Sequence, residues 1–485
     1  MNQLSFPILG LAIAVFVLIF LVLRTKVHPL IAMILASCIA GLTGGLSVNE
    51  TIDAITKGFG NTLGTIGIVI ALGVMMGRIL EVSGAAEQIA YSLIKRLGTG
   101  REEWALAITG YIVSIPIFAD SAFVILFPIA KACSKKVKRS ILTMGVALAG
   151  GLVATHTMVP PTPGPLGVAG IFGIDVGAMM LAGLIIAIPC AITYVLYAQW
   201  LGRKYPNDEE AIINEELKAI QDKYLQEKGA QPMPSLTLSL LPIVVPIVLI
   251  FLKAVINLFP ALAVSSSLFV RLMVQVFSFA GTPFIALCIS TLLAVYTLVP
   301  YLDRHQTSAR LEEGLMSAGI ILMVTGAGGA LGFVVRESGA GTQLAAQIAR
   351  LPFSPIMIPF FVASAVRLIQ GSATVAMITA ASITAPILNH IPGINMLFAA
   401  QAAAMGAFIL SYFNDSLFWV VSRMMGITEV KKQLLAWSVP TTLSWAVAGV
   451  IIALVNLVFG SGGKLLDPLI PLLGLVVIFL MVRRK

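Results

Sequence analysis

Long apolar runs dominate this chain, and their lengths set the first reading. A helix needs roughly 20 apolar residues to cross the hydrocarbon of a bilayer. Segments 4–23, 29–46, 62–80, 176–200, 236–256, 283–301, 315–335, 435–459 and 466–482 meet that length. The first run is followed, not preceded, by basic residues (Arg24, Lys26), and no A-x-A site follows it. It therefore reads as a span and not as a cleaved signal. Two regions, 103–135 and 352–392, are apolar but broken in the middle. Each precedes another interrupted stretch. Segment 139–175 contains Thr155-His156-Thr157-Met158-Val159-Pro160-Pro161-Thr162-Pro163-Gly164-Pro165, and 395–425 contains Ser411-Tyr412-Phe413-Asn414-Asp415-Ser416. Non-helical backbone at membrane depth survives only where it is buried in protein or lines a cavity.

Composition agrees with the pattern. The 485 residues are 58% hydrophobic and 11% charged, with mean hydropathy +0.98. Soluble domains carry about 25% charged residues, so this chain could not cover a soluble core. That excludes a secreted disulfide scaffold, a disordered chain, a nucleic-acid binder and an ordinary cytosolic enzyme. Cys38, Cys133, Cys190 and Cys288 are far apart and form no CxxC; His28, His156, His305 and His390 are scattered. No HExxH or paired Cys/His spacing occurs, so neither a metal nor a cofactor is expected.

The net charge of +9 bears on orientation. Basic clusters lie at Arg24/Lys26, Lys95/Arg96/Arg101, Lys131–Arg139, the 203–228 loop, Arg304/Arg310, Lys431/Lys432 and Arg483–Lys485. Positive residues favour the cytoplasmic side. One scheme satisfies all of these clusters. It has the N-terminus outside, the C-terminus inside, about eleven spans, and two re-entrant hairpins (103–135 and 352–392) entering from opposite sides. Arg271, in an amphipathic stretch between 257 and 281, stays outside, with Arg336 and Arg350 near the outer side.

A shift of 255 residues aligns the two halves. Gly73-x-x-x-Gly77 falls on Gly328-x-x-x-Gly332, Ser83-Gly84 on Ser338-Gly339, Gln88-Ile89-Ala90 on Gln343-Leu344-Ala345, and Gly151 on Gly406. With a small further shift, Ser121-Ala122 falls on Ser372-Ala373. The charge scheme gives equivalent pieces opposite orientation. Inverted repeats with paired broken elements characterise secondary transporters, whose sites form near the midplane. The predicted fold is thus an all-α polytopic membrane protein of two inverted-topology repeats. The first covers 1–201, with hairpin 103–135 and broken helix 139–175. A cytoplasmic linker follows at 202–234. The second repeat covers 235–460, with hairpin 352–392 and broken helix 395–425, and 461–485 adds a last span. Taken singly, the small-xxx-small pairs are ordinary helix-packing contacts.

Four motifs carry a family resemblance. They are Gly319-Ile320-Ile321-Leu322-Met323-Val324-Thr325-Gly326-Ala327-Gly328-Gly329, the segment His156–Pro165, Val366-Arg367-Leu368-Ile369-Gln370-Gly371-Ser372-Ala373-Thr374-Val375-Ala376, and Asn414-Asp415-Ser416-Leu417-Phe418-Trp419. In these the chain resembles the gluconate permease (GntP-type) family of proton symporters, over nearly its whole length. The resemblance implies uptake of sugar acids such as gluconate, or of relatives such as D-serine, across a bacterial inner membrane. Three departures stand out. Thr162 replaces a second His of many members, Ala119 replaces an aromatic, and the tail after Phe459 adds a span.

The residues themselves suggest the chemistry. Asp120 sits mid-hairpin, and a carboxylate at membrane depth is expensive and rarely idle. It could carry the coupling proton, or cap the following helix. His156 titrates in the right range, although a lone buried His is more often a structural donor. Gln370–Thr374 should form the opposing tip, where hydroxyls and helix-opening N–H groups would bind a carboxylate or sugar hydroxyls. Arg367 could pair with substrate or with an acidic side chain. The expected substrate-binding set is Ser121, Thr155, Thr157, Arg367, Gln370, Gly371, Ser372, Thr374, Asn414 and Ser416. The proton-coupling set is Asp120, His156 and Asp415. Arg78, Glu81, Arg336 and Glu337, at matching span ends, read as structural pairs.

The expected activity is therefore proton symport of gluconate or a related small hydroxylated organic acid by alternating access. The expected partners are that anion, protons, the lipid bilayer and a second copy of the chain in a homodimer, with no nucleic acid. The alternative is a sodium-coupled or exchange carrier for another small organic acid or D-serine. An intramembrane enzyme lacks its motif (no GxSG, HExxH or paired catalytic Asp). A channel would leave the paired hairpins unexplained.

Overall fold

The computed structural model describes residues 6–98, 100–206, 233–259, 267–348 and 350–483. Within them every regular element is helical: α1 Phe6–Arg24, α2 Pro29–Thr43, α3 Val48–Val82, α4 Ala85–Leu97, α5 Glu102–Val113, α6 Ala119–Val137, α7 Ile141–Met158, α8 Pro163–Phe172, α9 Val176–Lys204, α10 Leu236–Leu258, α11 Leu268–Ala280, α12 Pro283–Leu298, α13 Arg304–Glu337, α14 Ala340–Ile348, α15 Met357–Gln370, α16 Ala373–Leu388, α17 Met396–Gly406, α18 Ser416–Met424, α19 Val430–Gln433, α20 Val439–Phe459 and α21 Leu469–Arg483. A π-helical turn, Leu434–Ser438, joins α19 to α20. Among the described residues, six helices or continuous helical stretches are long and apolar enough to cross a bilayer. The count is seven if α11 and α12, bent by 78°, form one span. The remaining apolar helices, including α1, α2, α15, α16 and α17, are shorter. Most of the 202–234 linker lies outside the described residues.

The 255-residue register of the sequence reappears in the helix bounds. Shifting the starts of α2 through α9 by that amount lands each within two residues of the start of its counterpart among α12 through α19. The ends are built alike. Ser47 caps α3 and exchanges bonds with Glu50 in a capping box, as Asp303 does with Gln306 at α13. Such boxes satisfy donors that the first helical turn leaves open. Ser83 and Ser338 close the two helices. Each is followed by a glycine in the left-handed region, Gly84 at φ 76° and Gly339 at φ 71°, a conformation that costs glycine least.

The helices α3 and α13 pack on one another, with glycines allowing their backbones to approach. Gly58 faces Ala330 and Phe333, Gly329 faces Thr62, and Gly314 faces Val74, Met75 and Arg78. Positions rise along α3 as they fall along α13, so the two run antiparallel. The shift also nearly maps the contact onto itself. Gly58 against Ala330 becomes position 313 against 75, beside the observed Gly314–Met75 contact. Arg78 at one end binds Glu81 (3.1 Å) and Glu313 (2.8 Å) across this interface. Arg336 binds Glu337 at 3.3 Å.

Both interrupted regions are broken where the polar clusters lie. Residues 114–118 separate α5 from α6, and Gly371–Ser372 separate α15 from α16. Residues 159–162 separate α7 from α8, and 407–415 separate α17 from α18. The α7–α8 stretch is almost wholly enclosed by protein, as unsatisfied backbone requires in an apolar medium. Gly73 packs on Pro161 and Gly77 on the Pro116 carbonyl, so one small-residue pair of α3 buttresses two breaks.

Candidate functional site

Three of the four breaks, with the end of α7 just before the fourth, converge on one cavity of about 380 Å³. Its walls come from the start of α6 (Phe118, Ala119, Asp120), the end of α7 (Val153, His156, Thr157), and the α15–α16 junction (Arg367, Gln370–Thr374). The α17–α18 gap (Ala407, Phe408, Ser411, Asn414–Leu417) and Trp437 with Thr441 complete them. Thus Asp120, His156, Thr157, Arg367, Gln370, Gly371, Ser372, Thr374, Asn414, Asp415 and Ser416 meet in space, although they come from distant sequence. Ser121 and Thr155 are not in the lining. Thr155 is fully buried, its hydroxyl donating to the Leu152 carbonyl at 3.5 Å.

Three helix N-termini open on this cavity: α6, α16 and α18. Their leading residues, Ala119–Asp120, Ala373–Thr374 and Ser416–Leu417, all line it. First-turn N–H groups and the helix dipole favour an anion there. Ser372 caps α16 by accepting from Val375 N at 3.3 Å, and Asp415 caps α18 by accepting from Leu417 N at 3.4 Å. Asp120 is not the cap of α6. Phe118 holds the N-cap position, with no side-chain bond to the helix, so the Asp120 carboxylate remains available to the cavity. It accepts from Ser416 Oγ at 3.2 Å, a bond joining the first half of the chain to the second.

The central charged contact is Arg367 with Asp415. Arg367 Nη2 donates to Asp415 Oδ2 at 2.5 Å, and the side chains are only 5% and 10% exposed. Asp415 also accepts from the Ser411 hydroxyl, which in turn accepts from Trp437 Nε1 at 2.7 Å. Arg367 Nε and Nη1 are buried and have no protein partner among the described residues; the same holds for His156 Nδ1, Gln370 Oε1 and Asn414 Oδ1. Buried polar groups ordinarily find partners, so a cavity with five such atoms on its lining residues is suited to a polar guest. Asn414 Nδ2 donates to the Leu368 carbonyl at 3.3 Å, which leaves its oxygen for another donor. The His156 ring lies 5.8 Å from Phe118, and its carbonyl accepts from Thr162 Oγ1 at 2.9 Å.

Gly371 locks two breaks together. It sits at φ +88°, and a Cβ there would fall 2.1 Å from the Asn414 carbonyl oxygen. The site also includes residues that sequence reasoning passed over. Ser411 stood within a quoted polar cluster. Trp437 stands in an apolar run, within the π turn, and lines the cavity; π turns often mark functional sites. Of the two departures in the motifs, Ala119 lines the cavity and Thr162 does not. A cleft of similar size, about 400 Å³, opens around Glu103. That carboxylate is already held by Arg139 (2.8 Å) and Gln199 (2.7 Å).

Known proteins share this architecture. The fold resembles that of Neisseria gonorrhoeae MtrF, described with a class of antimetabolite efflux pumps. The TM-score is 0.62 at 16% identity, covering 92% of this chain and 99% of that one. An uncharacterized permease of Haemophilus influenzae is 62% identical over 484 residues, which is 100% of this chain and 99% of that protein. The gluconate permease of Pseudomonas aeruginosa is 33% identical over 463 residues, covering 94% and 99% respectively. The chain is a multi-pass membrane transporter, not an enzyme. The family described as GntP family permease matches residues 6–458, and this chain belongs to that family.

Proposed function

We propose that this protein is a secondary active transporter of the bacterial inner membrane. It imports gluconate or a related small hydroxylated organic acid by proton symport and alternating access. One observation carries the reading: three helix N-termini and a buried, partly unpartnered arginine face a single cavity where both halves of the chain meet. That lining favours a small anion, and Gln370, Ser372, Thr374 and Asn414 supply groups for hydroxyls. The P. aeruginosa relative, named as a gluconate permease, supports the same substrate class.

In this reading residues 1–201 and 235–460 are inverted repeats joined by the 202–234 linker. Segments 103–135 and 352–392 are re-entrant hairpins among about eleven spans, and 461–485 is an added span. The antiparallel, nearly self-mapping contact of α3 with α13 supports the inversion. The N-terminus is outside and the C-terminus cytoplasmic, and the unit is a homodimer. Asp120 carries the proton, assisted by Asp415 or His156. An anion enters a low-dielectric site at less cost when a carboxylate there is first neutralised.

The test is uptake of labelled gluconate, other sugar acids and D-serine into proteoliposomes with an imposed pH gradient. Accumulation of a sugar acid that a protonophore abolishes is the expected result. Accumulation that follows sodium instead makes the protein a sodium-coupled carrier, and D-serine alone accumulating moves the substrate class.

A further inference from the structure

The charges around the cavity do not balance. Its charged lining residues, among those described, are Asp120, Arg367 and Asp415. One cation therefore faces two carboxylates before any substrate enters. Asp415 holds Nη2 of that cation at 2.5 Å. The guanidinium has five donors in a planar fork, and its Nε and Nη1 have no partners among the described residues. A substrate carboxylate can be held there, by Nη1 with the second hydrogen of Nη2 or by Nε, which lie on different edges of the guanidinium. A second would find no cation in the lining and would lie among Asp120 and Asp415, where like charges repel. The other unpartnered atoms ask for something else. Asn414 Oδ1 and Gln370 Oε1 are acceptors, and they pair with O–H or N–H groups, not with another carboxylate.

We propose that the cavity selects a monocarboxylate bearing hydroxyl or amine donors and rejects the matching dicarboxylate, because Asp415 already takes one side of Arg367. This rests on the transport reading of the cavity and adds a rule of selectivity that is independent of which ion drives uptake. The selectivity is partly repulsive, as discrimination between close analogues often is.

Gluconate and glucarate test it, since they differ only in a terminal CH₂OH replaced by a carboxylate. Each unlabelled acid competes with labelled gluconate for the purified, full-length protein, with no ion gradient. Gluconate should compete at least ~30-fold better, because bringing like charges together is strongly unfavourable. In Asp415→Asn the gap should narrow roughly ten-fold or more, because one lining anion is gone while asparagine keeps the oxygen that caps α18. Asp120→Asn should narrow it as well, and serves if the first variant fails to fold. Equal competition by both acids in the parent protein overturns the proposal, as does an unchanged ratio in the folded variants; neither result touches the transport reading. Failure of gluconate to bind at all removes the sugar-acid reading instead. D-serine and D-aspartate, which differ by the same replacement of a donor by a carboxylate, then put the question to Arg367, with the same two outcomes deciding.

Discussion

Asp120 and Asp415 show how two acids at one cavity take different parts. Asp415 is tied to Arg367, Ser411 and the first turn of α18. Among the described residues Asp120 has only the Ser416 hydroxyl, at 3.2 Å. The less constrained acid is the better proton carrier, since it can change charge without breaking an ion pair. Asp120→Asn, which mimics the protonated form, should keep substrate binding and exchange yet lose accumulation under a pH gradient. Counterflow and gradient-driven uptake in the same proteoliposomes measure the two properties, and retained accumulation moves the proton to Asp415. The hydroxyls at the α15–α16 junction also divide. Ser372 caps α16, and losing such a cap costs about 1 kcal/mol. Ser372→Ala should therefore lower the melting temperature, and Ser372→Asn should restore it. Thr374 lines the cavity without capping the helix. A hydrogen bond to a charged group is worth about 1.5–3 kcal/mol, so Thr374→Ala should weaken substrate binding roughly ten-fold or more with the melting temperature held. Unchanged affinity in folded Thr374→Ala protein would take that hydroxyl out of the site.

The broken helices depend on close backbone approach more than on any side chain. Gly371 combines a left-handed φ with backbone contact to the 407–415 gap. Gly339 has a similar φ of 71° but open space around it. Gly339→Ala should cost only the strain of the left-handed conformation, roughly 1–2 kcal/mol. Gly371→Ala adds a collision with the Asn414 carbonyl, so it should lower thermal stability more and abolish uptake. Equal shifts in melting temperature for the two would mean that the gaps are not held together at this point. The π turn at Leu434–Ser438 belongs to the same scale. It seats Trp437 on Ser411 and so braces Asp415 from behind.

For the molecule as a whole, the contact between α3 and α13 is the strongest sign of how the halves relate. Two helices in the same register of the repeat run antiparallel through glycine contacts. A two-fold axis across the helices produces that arrangement, because such an interface brings each surface against its own equivalent. The inverted scheme then places the ends of α6 and α16 on opposite faces of the membrane. Cysteines at exposed Lys136 and Asn389 test it. An impermeant thiol reagent should reach position 389 from outside intact cells and position 136 only from the cytoplasmic side. Labelling of both from one side would remove the inverted repeat while leaving the cavity as it is.

Hydropathy runs, proline positions and the 255-residue register were enough to place the membrane class, the breaks and the polar residues beside them. Apolar length and helix-breaking chemistry act locally, so they are written in consecutive residues. Asp120, His156, Arg367, Gln370–Thr374 and Asn414–Ser416 were legible for the same reason, since polar groups inside apolar runs stand out. Partners were not legible. Sequence left Arg367 open between substrate and acid, and only the fold sets it 2.5 Å from Asp415 with two nitrogens to spare. Likewise nothing local separates Thr155 from Thr157, because the rotation of about 200° between them on the helix puts only one toward the cavity. Trp437 gave no signal at all, since an aromatic in an apolar run looks the same packed against lipid or against a site. These choices depend on which residues meet across hundreds of positions, and distance in space is what the tertiary structure alone decides.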